Sequence, residues 1–350
     1  MLAEAKALTV SAASVRLNRM LRFGFDLDGG WLSPRDHITS ARLAEGLGFD
    51  SVWMGDHFLP WFHDDAQAPA VWPWLGAALA STTAIMVGPD VTVPIGGRYH
   101  PLLVAQQAAT LDSLFPGRFL LGVGTGQAMS EERFLGRWPD WKERGERLRE
   151  ALALMRRFWT ADDYFDWDGK YFPAKKLYLY TRPAGKIELY VSARGRKAAR
   201  IAGELGDHIM TPVSDPRIVK DIVKEFDDSL SKRGKDPSRA HHVAYVETCM
   251  GDVRELVSLL KRGPAAAGVI DAARKEMDPR KIQQLGSQAA DSDIIRHHHI
   301  IPKASDLIPS VQELIDAGCD YVLFADESRK HDDTMRKLMK EVVPYLKHTR

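Results

Sequence analysis

Cysteine is nearly missing from this chain: its 350 residues hold two, Cys249 and Cys319, far apart and without metal-type spacing. That excludes a disulfide framework or a cysteine zinc site and points to a reducing, cytoplasmic setting. Long apolar runs are missing too, none reaching the roughly 20 residues of a membrane-spanning helix. The opening "MLAEAKALTVSAASVRLNRM" has an interrupted apolar run and lacks the basic-then-hydrophobic order of a secretory signal. Neither sign of charge prevails, since 48 Lys and Arg face 47 Asp and Glu, for a net charge of +1. The basic residues are dispersed, so there is no footprint for nucleic acid or an anionic membrane. What remains is a chain that is 45% hydrophobic, long enough to bury a full core, and suited to small-molecule chemistry.

Short β-rich runs alternate with amphipathic helical patterns along the chain. "RFGFDL" from Arg22 is followed by Ser33-Pro34, a helix-start pair, and by "DHITSARLAEGLGF", which ends near Gly46 or Gly48. "SVWM", "TAIMVGPDVTVPI", "GRFLLGVGTG", "IELYVSA", "GDHIMT", "HHVAYVETC" and "CDYVLFAD" follow in turn, making eight candidate strands. Eight βα units predict a closed (β/α)8 barrel, with an open doubly wound sheet as the rival. The stretch from about 251 to 303 breaks the rhythm with helical patterns of its own and reads as an insertion over one barrel end. With no linker-like composition and no repeat, the expectation is one domain over 21–350, preceded by an extension over 1–20.

In such a barrel the loops after the strands carry the function. "GDHFLPWFHDDAQ" follows strand two, "PDVTVPIGGRYHP" strand three, "GVGTGQAMSEE" strand four and "SARGRKAAR" strand five. His57 has a reference pKa near 6.5, which suits a base that takes a hydroxyl proton. His63, Asp64 and Asp65 read as a solvated or capping run. The glycines of "VGTGQ" let backbone approach a flat ligand. Arg194, Arg196 and Lys197 surround a helix start that favours an anion. His297, His298 and His299 are consecutive, and on an extended chain they would face opposite ways, so no metal site is expected.

"SVWMGDHFLPWFHDDAQAPAVWPWLGAAL", "PGRFLLGVGTGQAMSE", "YLYTRP" and "GDHIMT" together resemble the luciferase-like monooxygenase superfamily. Within it they are most similar to the coenzyme F420-dependent secondary-alcohol and sugar-phosphate dehydrogenases. That resemblance runs from about Leu21 to the C-terminus. It implies a (β/α)8 barrel and a hydride moved between an alcohol, or its carbonyl product, and C5 of a deazaflavin. His57 would be the base, Trp61 the aromatic shaping the pocket, and Asp56 an acid that hydrogen-bonds the coenzyme. Coenzyme contacts would come from Asp90, Val91 and Thr92, with a cis peptide at Asp90-Val91, and from Gly124, Thr125, Gly126 and Ser130. Ser192, Ala193, Arg194, Gly195 and Arg196 would complete them. At Gln127 the pattern breaks, because relatives carry Glu there, and an amide hydrogen-bonds but exchanges no proton. Ser214 and the uncharged residues within "HHHIIPKAS" stand where the sugar-phosphate branch has cationic side chains, which disfavours glucose 6-phosphate. The resemblance further implies a cytoplasmic homodimer, with no nucleic-acid or membrane partner. An FMN-dependent monooxygenase, or a coenzyme-binding protein of little activity, is the alternative.

Overall fold

The computed structural model describes residues 20–347 apart from 28, 29, 271, 274 and 275. The expected 1–20 extension therefore lies, save Met20, outside the described residues. Eight parallel strands make up the central sheet: β1 (Arg22–Asp26), β2 (Ser51–Met54), β3 (Met86–Pro89), β4 (Leu121–Val123), β5 (Leu189–Ser192), β6 (His208–Thr211), β7 (His242–Glu247) and β8 (Tyr321–Ala325). Their order is β3-β2-β1-β8-β7-β6-β5-β4. Parallel bridges Val87–Phe119 and Thr92–Val123 join β3 to β4 and close the circle. The barrel reading holds and the open sheet does not.

The first unit shows how local sequence sets the elements. Helix α1 (Pro34–Leu47) starts where Ser33 Oγ accepts from Asp36 N and Pro34 takes the first turn. It stops at Gly48, whose φ of 89° suits glycine, and the chain turns into β2. Inside the barrel, Trp53 is fully buried and edge-on to Tyr190 at 5.4 Å. Room for the indole comes from two neighbouring strands. A Cβ on Gly88 would lie 3.1 Å from the indole, and one on Gly122 would lie 3.2 Å from it. Truncating Trp53 to Ala would cost about 3 to 5 kcal/mol. Around the outside, helices α2 (Val71–Ser81), α3 (Pro101–Leu114), α4 (Ala128–Leu135), α5 (Trp141–Thr160), α6 (Arg196–Leu205) and α7 (Pro216–Lys232) follow β2 to β6.

Between β7 and β8 the chain runs through α8 (Val253–Lys261), α9 (Ala266–Val269), α10 (Pro279–Ser287) and α11 (Asp291–His297). This is the stretch expected as an insertion. Leu256, Leu260, Ile294 and Ile300 give it an apolar cluster of its own. It sits on Trp31, whose ring would lie 2.1 Å from a Cβ at Gly263 and whose Nε1 donates to Glu327 O at 2.9 Å. Helices α12 (Ile308–Asp316) and α13 (His331–Lys337) flank β8. A small antiparallel hairpin, Phe165–Trp167 with Ala174–Leu177, was not anticipated.

Candidate active site

A cavity of about 1610 Å³ opens at the C-terminal ends of the strands. Asp56, His57 and Trp61 line it directly after β2, with the His57 and Trp61 rings edge-on at 6.0 Å. Trp61 also packs against the apolar cluster that holds Met129 of α4 and Ile282 of α10, which ties the β2 loop to α4 and to the insertion. Farther along, Gln283 Oε1 accepts from His63 N at 2.8 Å and Asp64 N at 3.0 Å, and Asp65 pairs with Arg329 at 3.3 Å. The acid-rich run after Trp61 is therefore a latch to α10 and to the loop after β8.

Asp56 is buried and receives three side-chain donors. Arg98 Nη1 lies 2.8 Å from Oδ1, Tyr99 OH donates to Oδ1 at 3.2 Å, and Thr92 Oγ1 donates to Oδ2 at 2.8 Å. Arg98 Nη2 also donates to the Asp56 carbonyl and lies 3.1 Å from Glu131 Oε1. Burial pushes the Asp56 carboxyl up, outweighing Arg98 and Thr92. Glu131 is likewise raised by burial, against the pull of Arg98, and Tyr99 is raised by burial and by Asp56.

The glycine loop after β4 packs tightly on the β3 loop, since a Cβ on Gly124 would meet Val91 Cγ2 at 2.6 Å. The Asp90-Val91 peptide is cis, as the resemblance implies. Asp90, Val91, Gly124, Thr125, Gly126, Gln127 and Ser130 line the cavity. Gln127 caps α4, and its Oε1 is buried with no hydrogen-bond partner. On the β5 side, Ser192, Arg194, Gly195, Arg196 and Lys197 line it. Gly195 caps α6 without a side-chain bond, so the first N–H groups of that helix remain available to an anion. Arg196 Nη2 lies 3.1 Å from Glu225 Oε2, so part of its charge is already balanced.

Two expected contacts are placed elsewhere. Thr92 is fully buried with its hydroxyl turned to Asp56, and Ala193 points into the apolar core, so neither lines the cavity. The chain beyond each strand end alternates, and every second side chain is turned away. The three histidines are not extended either. His297 ends α11, and the turn after it brings His297, His298 and Glu247 together, their ligand atoms within 4.8 Å of one another. His298 Nδ1 and Glu247 Oε1 form a close hydrogen bond, which His298 makes with burial working against its charge and Glu247 working for it. Arg98, Tyr99 and Glu247 were missed from sequence, and Glu131, weighed as a stand-in for the absent Glu at 127, was not nominated. "GGRYHP" was read as a rim loop, but nothing in it identifies the partner across the barrel.

The profile of the luciferase-like monooxygenase family matches residues 18–292. The F420-dependent glucose-6-phosphate dehydrogenase of Kribbella flavida is 42% identical over 338 residues, covering 93% of this chain and 98% of that one. The enzyme of that name from Microbacterium testaceum is 31% identical over 332 residues, covering 93% and 98%. Among solved structures, an F420-dependent secondary alcohol dehydrogenase in complex with an F420-acetone adduct is 31% identical with a TM-score of 0.86, covering 93% of this chain and 99% of that one. With its fold, its motifs and these matches in agreement, the chain belongs to the luciferase-like monooxygenase family.

Proposed function

We propose that the protein is a coenzyme F420-dependent oxidoreductase that moves a hydride between an alcohol, or its carbonyl product, and C5 of the deazaflavin. The observation that carries this reading is that His57 and Trp61, edge-on to each other, line the same cavity as Gly124, Thr125 and Gly126. The cavity fits such a coenzyme. The orphaned Gln127 Oε1 would accept a ring N–H, the glycines of the loop would let backbone approach a flat ring, and the uncapped start of α6 with Arg194 would take a phosphodiester. When bound, the coenzyme supplies an electron-poor carbon that accepts a hydride and has little oxygen chemistry. His57 takes the hydroxyl proton as the alcohol becomes a carbonyl, a contribution of about 10²–10⁴-fold for a positioned base. Trp61 walls the reacting carbon from water. Asp56, fixed by Thr92, Tyr99 and Arg98, sets the direction of the His57 backbone.

The substrate is an alcohol without a phosphate. What supports this is Ser214, the uncharged residue after β6, and the carboxylates of Asp26, Glu247 and Glu327 in the cavity; Arg194, Arg196 and Lys197 line it around the α6 start assigned to the coenzyme, and Arg296 lines it from the insertion. The same reading makes the protein a cytoplasmic homodimer with residues 21–350 as one domain, on the strength of the resemblance. Holding protein and oxidised coenzyme F420 with a panel of secondary alcohols, polyols, and sugars with and without a 6-phosphate tests it. Loss of the oxidised deazaflavin absorbance is expected with unphosphorylated alcohols. Turnover confined to the 6-phosphate would overturn the substrate class, and turnover with none the reaction.

A further inference from the structure

Two buried carboxylates share one guanidinium beneath the Gly124–Gly126 loop. The side chains of Asp56 and Glu131 are 1% and 0% exposed, and that of Arg98 is 10% exposed. With both acids ionised this desolvated trio would carry one net negative charge, at the wall where a reduced, anionic deazaflavin would lie. Like charges a few Å apart in a desolvated site repel strongly. The other titratable groups facing the trio do not supply a second cation of fixed charge. Tyr99 is held neutral by burial, and His57, beside Asp56, is the base of the proposed reaction.

The two acids are not equally served. Asp56 receives three different side chains, Arg98, Tyr99 and Thr92, whereas Glu131 is served by Arg98 alone, through its guanidinium on Oε1 and its backbone N–H, and its buried Oε2 has no well-formed hydrogen bond among the described residues. A carboxylate oxygen without donors is the costlier one to leave charged. Glu131 is also one helical turn from Gln127, joined to it by the bond from Glu131 N to Gln127 O at 3.0 Å, and Gln127 Oε1 is a second orphaned buried atom.

We propose that Glu131 holds a proton at neutral pH, keeping the Asp56–Arg98–Glu131 trio neutral, and so does electrostatically what a carboxylic acid at position 127 would do in relatives. Glu131 is then a positioning residue: it sets the charge of the wall and touches no reacting atom. This rests on the proposed coenzyme only in its functional half. When pH rises, the trio releases one proton to solvent and becomes anionic, and the wall then repels a reduced ring.

Infrared spectroscopy of the coenzyme-free protein is the direct test. A protonated-carboxyl carbonyl band is expected near neutral pH. It should shift when the protein is labelled with carboxyl-¹³C glutamate, stay put with carboxyl-¹³C aspartate, and vanish in Glu131→Gln. Absence of the band, a shift with aspartate, or survival in Glu131→Gln overturns the assignment. As a second readout, affinity for reduced coenzyme F420 should fall about tenfold per pH unit above the Glu131 ionisation in wild type. In the nearly isosteric Glu131→Gln it should stay flat, and parallel profiles would contradict the role. If neither protein binds a deazaflavin while the labelled band behaves as expected, the coenzyme reading fails and the protonation of Glu131 stands.

Discussion

At the N-terminal end of the strands Asp207, just ahead of β6, is met by Arg156 at 2.9 Å, by Lys186 at 2.9 Å and by Lys235. At the C-terminal end Asp56 shares a single guanidinium with Glu131. Both aspartates are buried, yet their chemistry diverges. Burial raises Asp207, but Arg156, Lys235 and Lys186 together outweigh it and hold the carboxyl far below the usual range. At Asp56 burial wins. The contrast extends to neighbours at the lower end: His241 Nδ1 lies 2.8 Å from Asp320 Oδ2 and overcomes burial to hold Asp320 low, and the bond from His208 brings Glu188 to about 2. The lower end over-compensates the buried Asp207 and Asp320, whereas at the upper end Asp56 and Glu131 are under-compensated and only Glu247, paired with His298, is held low. With the proposed function, stability would be concentrated at the first and reactivity at the second, the division expected of a (β/α)8 barrel.

Substitutions that separate turnover from stability test this division, and the largest effect should come from the upper end. His57→Ala should cut turnover about 10²–10⁴-fold while coenzyme affinity stays within a few-fold and the melting temperature is unchanged, as read by steady-state kinetics and calorimetry. A parallel collapse of affinity would move His57 from the chemical step into the binding shell. At the lower end, Asp207→Asn should leave Arg156, Lys186 and Lys235 facing no charge and cost about 2 kcal/mol in denaturant unfolding, discounted because the cations are partly exposed. A folded pKa below the unfolded one contributes stability above the unfolded value and loses it as pH falls through the folded one. Wild type should therefore weaken below about pH 4, and Asp207→Asn should show a shallower acid slope.

A smaller effect is expected from the matching change above. Asp56→Asn lets Glu131 give up its proton and pair with Arg98 in place of Asp56, so unfolding should shift by less than about 1 kcal/mol while coenzyme affinity drops about tenfold. If Asp56→Asn destabilised as much as Asp207→Asn, the two ends would not differ in kind. The smallest change concerns Gln127→Glu, which sets a second carboxylate near Glu131 and the ring. It should add an ionisation to the pH-rate profile between about pH 5 and 8, with faster coenzyme reduction on the acid side. A profile superimposable on wild type would mean that residue 127 does not face the ring.

Much of the upper end was legible in the sequence because each strand is a short apolar run bounded by a glycine or polar loop, and the loop after it must reach the rim. "SVWM" followed by "GDH" fixes where Asp56 and His57 stand without any knowledge of their partners. The trio was not legible, because Arg98, from the loop after β3, and Glu131, from α4, meet only when β3 and β4 close the barrel. Thr92 and Ala193 were assigned to the cavity because a motif carries residues along with their neighbours, while side-chain direction alternates one residue at a time. The hairpin of Phe165–Trp167 and Ala174–Leu177 escaped because its strands are three and four residues long with partly exposed faces, so neither shows a clear period. The three histidines were misread for a related reason: the end of α11 curls them toward Glu247, a conformation that adjacent identical residues do not reveal.

The most direct test of the account is a titration of coenzyme-free protein with oxidised coenzyme F420 and, separately, with FMN, followed by absorbance and by calorimetry. Saturable one-site binding of the deazaflavin is expected, weakened about tenfold in Asp56→Asn and unchanged in Asp207→Asn under conditions where both remain folded. Binding of FMN with no binding of the deazaflavin, or a deazaflavin affinity indifferent to Asp56, would contradict the claim that the under-compensated end of the barrel is a hydride-transfer site.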